Sequence, residues 1–297
     1  MSPQPAITSP AAVAVIGLGN MGVPMGARLV KAGYAVTGFD LKAAARGNFA
    51  AAGGRIADDV AGAVAGAEAV ITLLPDGRSV RQAVDAMRAH LRPGAVVVEM
   101  SSSDPIGTRK LGAELIAAGF AFADAPVSGG VKRAANGTLA IMAGGEAATI
   151  DRIFPLLAAM GTSIFRTGAL GSGHAMKALN NYVSAAGLIA AVEALEVGRK
   201  FGLDPALMTD ILNVSSGRNH TTELKLKQFI ISQNFNAGFP LRLMAKGVRT
   251  ADDLAHALDI ATPLADLCAK LWDEAAQVLS ETADHTEVIR YMQQLRE

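Results

Sequence analysis

The sequence predicts an α/β domain followed by an all-helical domain, with a long helix joining them. From Ala12 onward, short apolar runs alternate with amphipathic helical stretches, which is the pattern of a parallel sheet covered on both faces. The strand-like runs stop near Gly168, and beyond it the chain reads as helix almost throughout. A length of 297 residues suits two domains with a sizeable core. Residues 1–11, rich in Pro and Ser, read as a loose tail; 12–168 form the α/β domain and 169–297 the helical one.

Each element has its own reason. Strands are expected at Ala12–Ile16, Ala35–Phe39, Ala69–Leu73, Val96–Met100, Ala121–Ala123, Ala140–Ala143 and Ser163–Arg166. The first of these are short, apolar and closed by Gly, Pro or Asp, as strands buried on both faces should be. A long helix runs from Gly173 to about Phe201 and stops at Gly202. Asp204-Pro205 then starts another, an acidic N-cap followed by Pro at the first helical position. Further helices are expected at 205–213, 221–231, 240–258, 262–280 and 284–295.

Composition excludes several classes of function. Basic and acidic side chains balance at 27 each, with no basic run, which disfavours nucleic acid or an anionic membrane surface as a partner. The one cysteine, Cys268, rules out an internal disulfide and reads as core packing. The five histidines show no metal-ligand spacing, so no metal site is expected. The N-terminal MSPQPAITSP lacks the charged start and apolar stretch of a signal peptide. The apolar stretch at 183–192 meets Glu193 and Glu196 before it could span a bilayer. The expectation is a soluble cytoplasmic protein with no membrane partner.

Gly17-Leu18-Gly19-Asn20-Met21-Gly22 follows the first strand and opens a helix. Gly17 allows the tight turn, Gly19 lets the backbone approach a pyrophosphate, and Gly22 permits close helix–strand contact. The helix N-terminus offers unpaired N–H groups and a positive dipole end to the phosphates. Asp40 ends the second strand, where a carboxylate would accept hydrogen bonds from an adenosine ribose. Its charge repels a 2′-phosphate and so favours NAD, while Lys42 nearby keeps NADP open. Leu74-Pro75 and Ser101-Ser102-Ser103 occupy later strand ends, where such a site is completed. Leu74 is placed to cover the adenine or ribose side, and a serine such as Ser102 to bond the nicotinamide end. Ordinary loop chemistry accounts for any one of these serines equally well.

Asp124-Ala125-Pro126-Val127-Ser128-Gly129-Gly130 follows another strand. The Ser128 hydroxyl and the bare backbone N–H groups of Gly129 and Gly130 would seat a small carboxylate. A plain turn also uses Ser-Gly-Gly, so both readings stand. Lys177 and Asn181, four apart at the start of the long helix, share one face. A buried lysine has a lowered pKa and becomes an acid–base group near neutrality, whereas a solvated one at a helix start has no such role. His174 reads as a helix-start residue.

With these motifs in hand, the chain resembles the β-hydroxyacid dehydrogenase family, which includes 3-hydroxyisobutyrate dehydrogenase, tartronate semialdehyde reductase and the glyoxylate/succinic semialdehyde reductases. GLGNMG at 17–22, DAPVSGG at 124–130, G-x-x-x-K-x-x-N-N at 173–181 and LMAK at 243–246 fall in the family's order and spacing, from about 12 to 290. The resemblance implies a Rossmann-type domain, a long interdomain helix, and a helical domain that closes the cleft and forms a homodimer or homotetramer. It implies hydride transfer between NAD(P) and a small β-hydroxy acid or its semialdehyde, with Lys177 as acid–base residue. It gives Ser128, Gly129 and Gly130 the substrate carboxylate, and Asn181 a bond near the reacting carbon. Asn180 has a weaker claim, because it sits about 100° around the helix from Lys177. Lys246 matches a lysine that reaches the cofactor from the helical domain, and Phe239 an aromatic near the closed cleft.

The chain departs from the family at one visible place: where many relatives read Lys-Asp, it has Lys246-Gly247. The loop Ser215–His220 leaves two readings open, a second anion site at Arg218 or a solvated connection. Two other functions remain as alternatives. A catalytically silent NAD-binding scaffold would bind cofactor without turnover, and keeping Lys177, Asn181 and Ser128 together weighs against it. An imine reductase would use NADPH and carry another residue in place of the lysine.

Overall fold

The structure is a computed structural model that describes residues 4–295. The chain divides into two compact units, Met1–Lys177 and Ala178–Glu297. In the first unit, the strands are β1 (Ala12–Ile16), β2 (Ala35–Phe39), β3 (Arg55–Ile56), β4 (Ala69–Thr72), β5 (Val96–Glu99), β6 (Ala121–Asp124), β7 (Val127–Ser128), β8 (Leu139–Gly144) and β9 (Gly161–Gly168). They form one sheet in the order β3-β2-β1-β4-β5-β6-β8-β7, with β9 on β8. Neighbours from β3 through to β6 run parallel, and β8 turns antiparallel to β6 and β7.

Successive side chains of β1 serve two cores, as strand geometry requires. Val13 and Val15 pack with Met25 and Leu29 of α1 (Gly22–Lys31). Ala14 and Ile16 pack on the other face. That face holds Val80 and Val84 of a helix at Gly77–Met87, and Leu111 and Leu115 of one at Pro105–Ala117. Between α1 and this pair lie α2 (Ala43–Ala51) and α3 (Val60–Val64) on the sequence path, so the pair are α4 and α5. α6 (Gly130–Asn136) and α7 (Ala147–Met160) complete the unit. Because β1 has β2 on one side and β4 on the other, the strand order reverses at β1. The crevice beyond the carboxyl ends of these strands is where such sheets bind ligands.

The division between units falls inside α8 (Ser172–Phe201). Ala185, Leu188, Val192 and Leu195 recur at helical spacing and enter the second unit's core with Trp272 and Cys268. α8 is long and apolar enough to cross a bilayer by length and composition, and this face of it is instead buried within the protein. After it come α9 (Pro205–Asn213), α10 (His220–Leu224), α11 (Leu241–Ala257), α12 (Pro263–Val278) and α13 (Val288–Gln294). Asp204 caps α9 as expected, accepting from the Leu207 N–H at 2.8 Å.

Several details differ from the sequence reading. The tail is anchored where it is described: Ile7 is only 2% exposed, and its N–H donates to Arg152 O at 2.8 Å. Residues 1–3 lie outside the described residues. β3 and β7 have two residues each and carry no apolar run to announce them. The helix expected at 221–231 is α10 followed by a π-helical turn, Leu226–Ile231, because apolar periodicity does not separate α from π winding. The last helix opens with a 3-10 turn at His285–Glu287.

Candidate active site

The glycine loop leaves β1 and returns into α1 with its backbone against the end of β4. Gly17 has φ +97°, and a Cβ there would run into the Leu73 carbonyl, while one on Gly22 would run into the Gly17 carbonyl. A Cβ on Gly19 would meet nothing within 4 Å, so its backbone is bare toward solvent. The Asp40 carboxylate reaches this loop from β2, accepting the Leu18 N–H and the Lys42 N–H at 2.8 Å each. Leu74 packs beside Gly17, and its N–H donates to Ser101 Oγ at 2.9 Å. The first unit thus brings Gly17, Leu18, Gly22, Asp40, Leu74 and the serine loop together at adjoining strand ends. Bare backbone at Gly19 beside a helix N-terminus and an acid at the end of β2 fits a dinucleotide.

Ser128 ends β7 half-buried, and Gly129 and Gly130 follow at φ +130° and +68°. Those values lie in the region that L side chains avoid, so both glycines are required by the turn.

The start of α8 is held by a buried charged network that the sequence reading missed. Asp124, at the end of β6, accepts the Gly171 N–H at 2.7 Å and the His174 N–H at 2.8 Å. The His174 ring is fully buried, with Nδ1 2.9 Å from Thr108 Oγ1 and Nε2 3.1 Å from the Ser101 carbonyl. The Thr108 hydroxyl also lies 2.9 Å from the Asp104 carbonyl, and with its proton directed there it accepts from Nδ1. Both ring nitrogens therefore face acceptors, and we assign an imidazolium. Its charge faces Glu99 Oε2 at 2.9 Å and Asp124 Oδ2 at 3.7 Å.

The protonation states follow from these contacts. Burial alone would lower the His174 pKa, but Glu99 and Asp124 raise it overall. Burial works to raise Glu99, yet the His174 charge and the Ser101 bonds bring it below the usual value. For Asp124 burial wins, and its pKa is raised despite His174. A signal was available: Glu99 and Asp124 are register partners at the ends of β5 and β6, and two buried acids side by side require a cation. Ser101 is thereby tied to both Leu74 and His174, which links the serine loop to the helix that carries Lys177.

Lys177 is 8% exposed, and burial lowers its pKa from 10.5 to about 8. Asn181, one turn on, is also buried, whereas Asn180 is half-buried off that face. In the second unit Asn181 lies against Gly247 of α11, the residue after half-buried Lys246. Phe239 sits elsewhere in that unit, edge-on to His285 with ring centroids 5.7 Å apart. Its N–H and that of Gly238 are held by Asp284. Arg218 lies 3.5 Å from Glu223. Among the described residues, Asp252, His256 and Asp266 bring donor atoms within 4.8 Å of one another, and the four-residue spacing of the first two is ligand-like. Side chains of the protein itself face both carboxylates there, the Arg249 guanidinium at 3.4 Å from Asp252 and the His256 ring at 3.1 Å from Asp266.

Comparisons with known proteins cover both units. Residues 12–168 match the family described as the NAD binding domain of 6-phosphogluconate dehydrogenase. Residues 171–292 match the NAD-binding family of NADP-dependent 3-hydroxyisobutyrate dehydrogenase. An NAD-dependent L-serine dehydrogenase of Pseudomonas aeruginosa is 38% identical over 88% of this chain and 90% of its own. A 2-(hydroxymethyl)glutarate dehydrogenase of Eubacterium barkeri is 32% identical over 95% of each. The solved structure of Mycobacterium tuberculosis 3-hydroxyisobutyrate dehydrogenase with L-serine superposes with a TM-score of 0.90 at 35% identity, covering 95% of this chain and 99% of that one. An imine reductase of Streptomyces aurantiacus, at 19% identity and a TM-score of 0.62, shares the fold alone.

Proposed function

The chain belongs to the β-hydroxyacid dehydrogenase family, and from that premise we propose that Lys177 moves the proton in hydride transfer between NAD and a small β-hydroxy acid or its semialdehyde. The protein is a nicotinamide-dependent oxidoreductase acting on a hydroxy acid. The observation that carries the role of Lys177 is its burial on α8: an amine with a pKa of about 8 holds or gives up a proton near neutrality.

In oxidation, neutral Lys177 Nζ accepts the substrate hydroxyl proton as the carbonyl forms. In reduction, the ammonium returns that proton to the developing alkoxide. The nicotinamide, when bound, takes or supplies the hydride with its electron pair. Ser128 and the N–H groups of Gly129 and Gly130 hold the carboxylate, which fixes the β carbon, and Asn181 bonds the substrate near it. Lys246 and Ser102 are assigned to the cofactor, and Phe239 and Asn180 to the substrate, with Asn180 the weaker. General acid–base help is worth roughly 10²–10⁴-fold, with orientation supplying much of the rest.

Asp40 supports NAD over NADP, since a 2′-phosphate would meet its carboxylate. Substrates of the relatives named above, L-serine and 2-(hydroxymethyl)glutarate, each carry a hydroxymethyl group on the carbon bearing the carboxylate. We assign the same substrate class here, in a cytoplasmic enzyme. A homo-oligomer is favoured by exposed Val183, Val197 and Phe201 on α8 with Leu207, Ile211 and Val214 beyond it. The test is nicotinamide absorbance with 2-substituted 3-hydroxypropanoates and short semialdehydes, each with NAD(H) and NADP(H). Turnover with NAD is the expected result. Cofactor binding without turnover on any of them would move weight to the scaffold reading.

A further inference from the structure

Gly247 lies in the middle of α11, where glycine is the poorest helix former apart from proline. It is buried, its backbone is ordinary helix, and no turn calls for it. What calls for it is Asn181. A Cβ at position 247 would stand 2.9 Å from Asn181 Cβ and 3.0 Å from Cγ, with the amide nitrogen closer still. Rotation about χ1 carries the amide away but leaves Asn181 Cβ where it is. Any side chain at 247 therefore swings the amide off its present line and also presses α11 from α8.

We propose that Gly247 is a positioning residue: by having no side chain, it sets the rotamer in which the Asn181 amide lies on the same α8 face as Lys177. This rests on the reading that Asn181 bonds the substrate.

A double-mutant cycle in the intact enzyme tests it, following turnover, substrate KM, NADH binding and thermal stability. Gly247→Ala is expected to lower kcat/KM for the hydroxy acid by about 10- to 100-fold, as a misplaced substrate contact does, with NADH binding unchanged. In an Asn181→Ala background the same change should cost less than about 3-fold in kcat/KM, because the amide it displaces is gone. Its effect on thermal stability should shrink there to what the remaining Cβ contact imposes, because the amide nitrogen that a new Cβ meets first is gone. A merely structural role would give equal activity losses in both backgrounds. If Gly247→Ala alone fails to fold, Asn181→Ala should restore folding by removing the closest clash.

Equal losses in both backgrounds, a neutral Gly247→Ala, or no rescue of a misfolded one would overturn the proposal. Lys177→Ala run alongside separates the two failures. Full activity in that variant sinks the functional reading, whereas its silence beside a neutral Gly247→Ala sinks only this inference.

Discussion

At the scale of single residues, burying an ammonium at position 177 costs stability that an apolar side chain would return. Lowering its pKa from 10.5 to about 8 corresponds to about 3 kcal/mol at neutral pH. The sign follows from proton counting. Between pH 8 and 10.5 the unfolded chain holds a proton there that the folded one has lost, so the penalty fades as pH rises through that window. Lys177→Met should therefore raise stability at pH 7 by up to about 3 kcal/mol while abolishing turnover, and urea denaturation at pH 7 and pH 10 would show the gain shrinking. Stability that falls in the variant would mean that Lys177 has a stabilising partner. The lysine's burial was not legible in its local sequence, since an arbitrary lysine at a helix start is solvated; the family motif G-x-x-x-K-x-x-N-N carried that assignment.

The same proton governs rate. Oxidation needs neutral Lys177, so its kcat should rise with pH and level off above about 8. Reduction needs the ammonium and should fall over the same range. Matching opposite limbs are the expected outcome, and limbs that survive in Lys177→Ala would assign them to another group.

At the scale of elements, the strands were readable because β1, β4 and β5 are buried on both faces and so are nearly all apolar. What was hidden is the joint between elements. Glu99 and Asp124 look like acids ending strands at water, and His174 like a helix-start residue, until the register of β5 on β6 brings the three together. His174→Leu leaves Glu99 buried without its counter-charge and should cost about 3–5 kcal/mol. Adding Glu99→Met should recover part of that loss, and equilibrium denaturation of the single and double variants would measure the coupling. The pair also sets a pH window. The raised His174 pKa contributes stability that is lost as pH climbs through its folded value. The lowered Glu99 pKa contributes stability that is lost as pH falls through its own.

At the scale of the whole molecule, alternation of strand and helix up to Gly168 and helices beyond it were legible from periodicity alone. Glycine spacing located the turn between β1 and α1 that we assign to the cofactor, and the bond from the Leu18 N–H shows that Asp40 also holds this turn itself. Asp40→Asn should accordingly weaken NADH and narrow its advantage over NADPH, as fluorescence titration with both would report. Retained preference for NADH would place the selectivity elsewhere. The π-helical turn at Leu226–Ile231 is set by the burial of Leu226 and Ile230 in the second unit's core, and Asp266 joins Asp252 and His256 only where α12 packs on α11; local pattern encodes neither.

The acid–base role of Lys177 is decided by steady-state turnover of Lys177→Ala beside its NADH affinity, on the best substrate of the wild-type enzyme. The expected result is a kcat loss of roughly 10²-fold or more with NADH binding nearly unchanged. Near-normal turnover in that variant would contradict it.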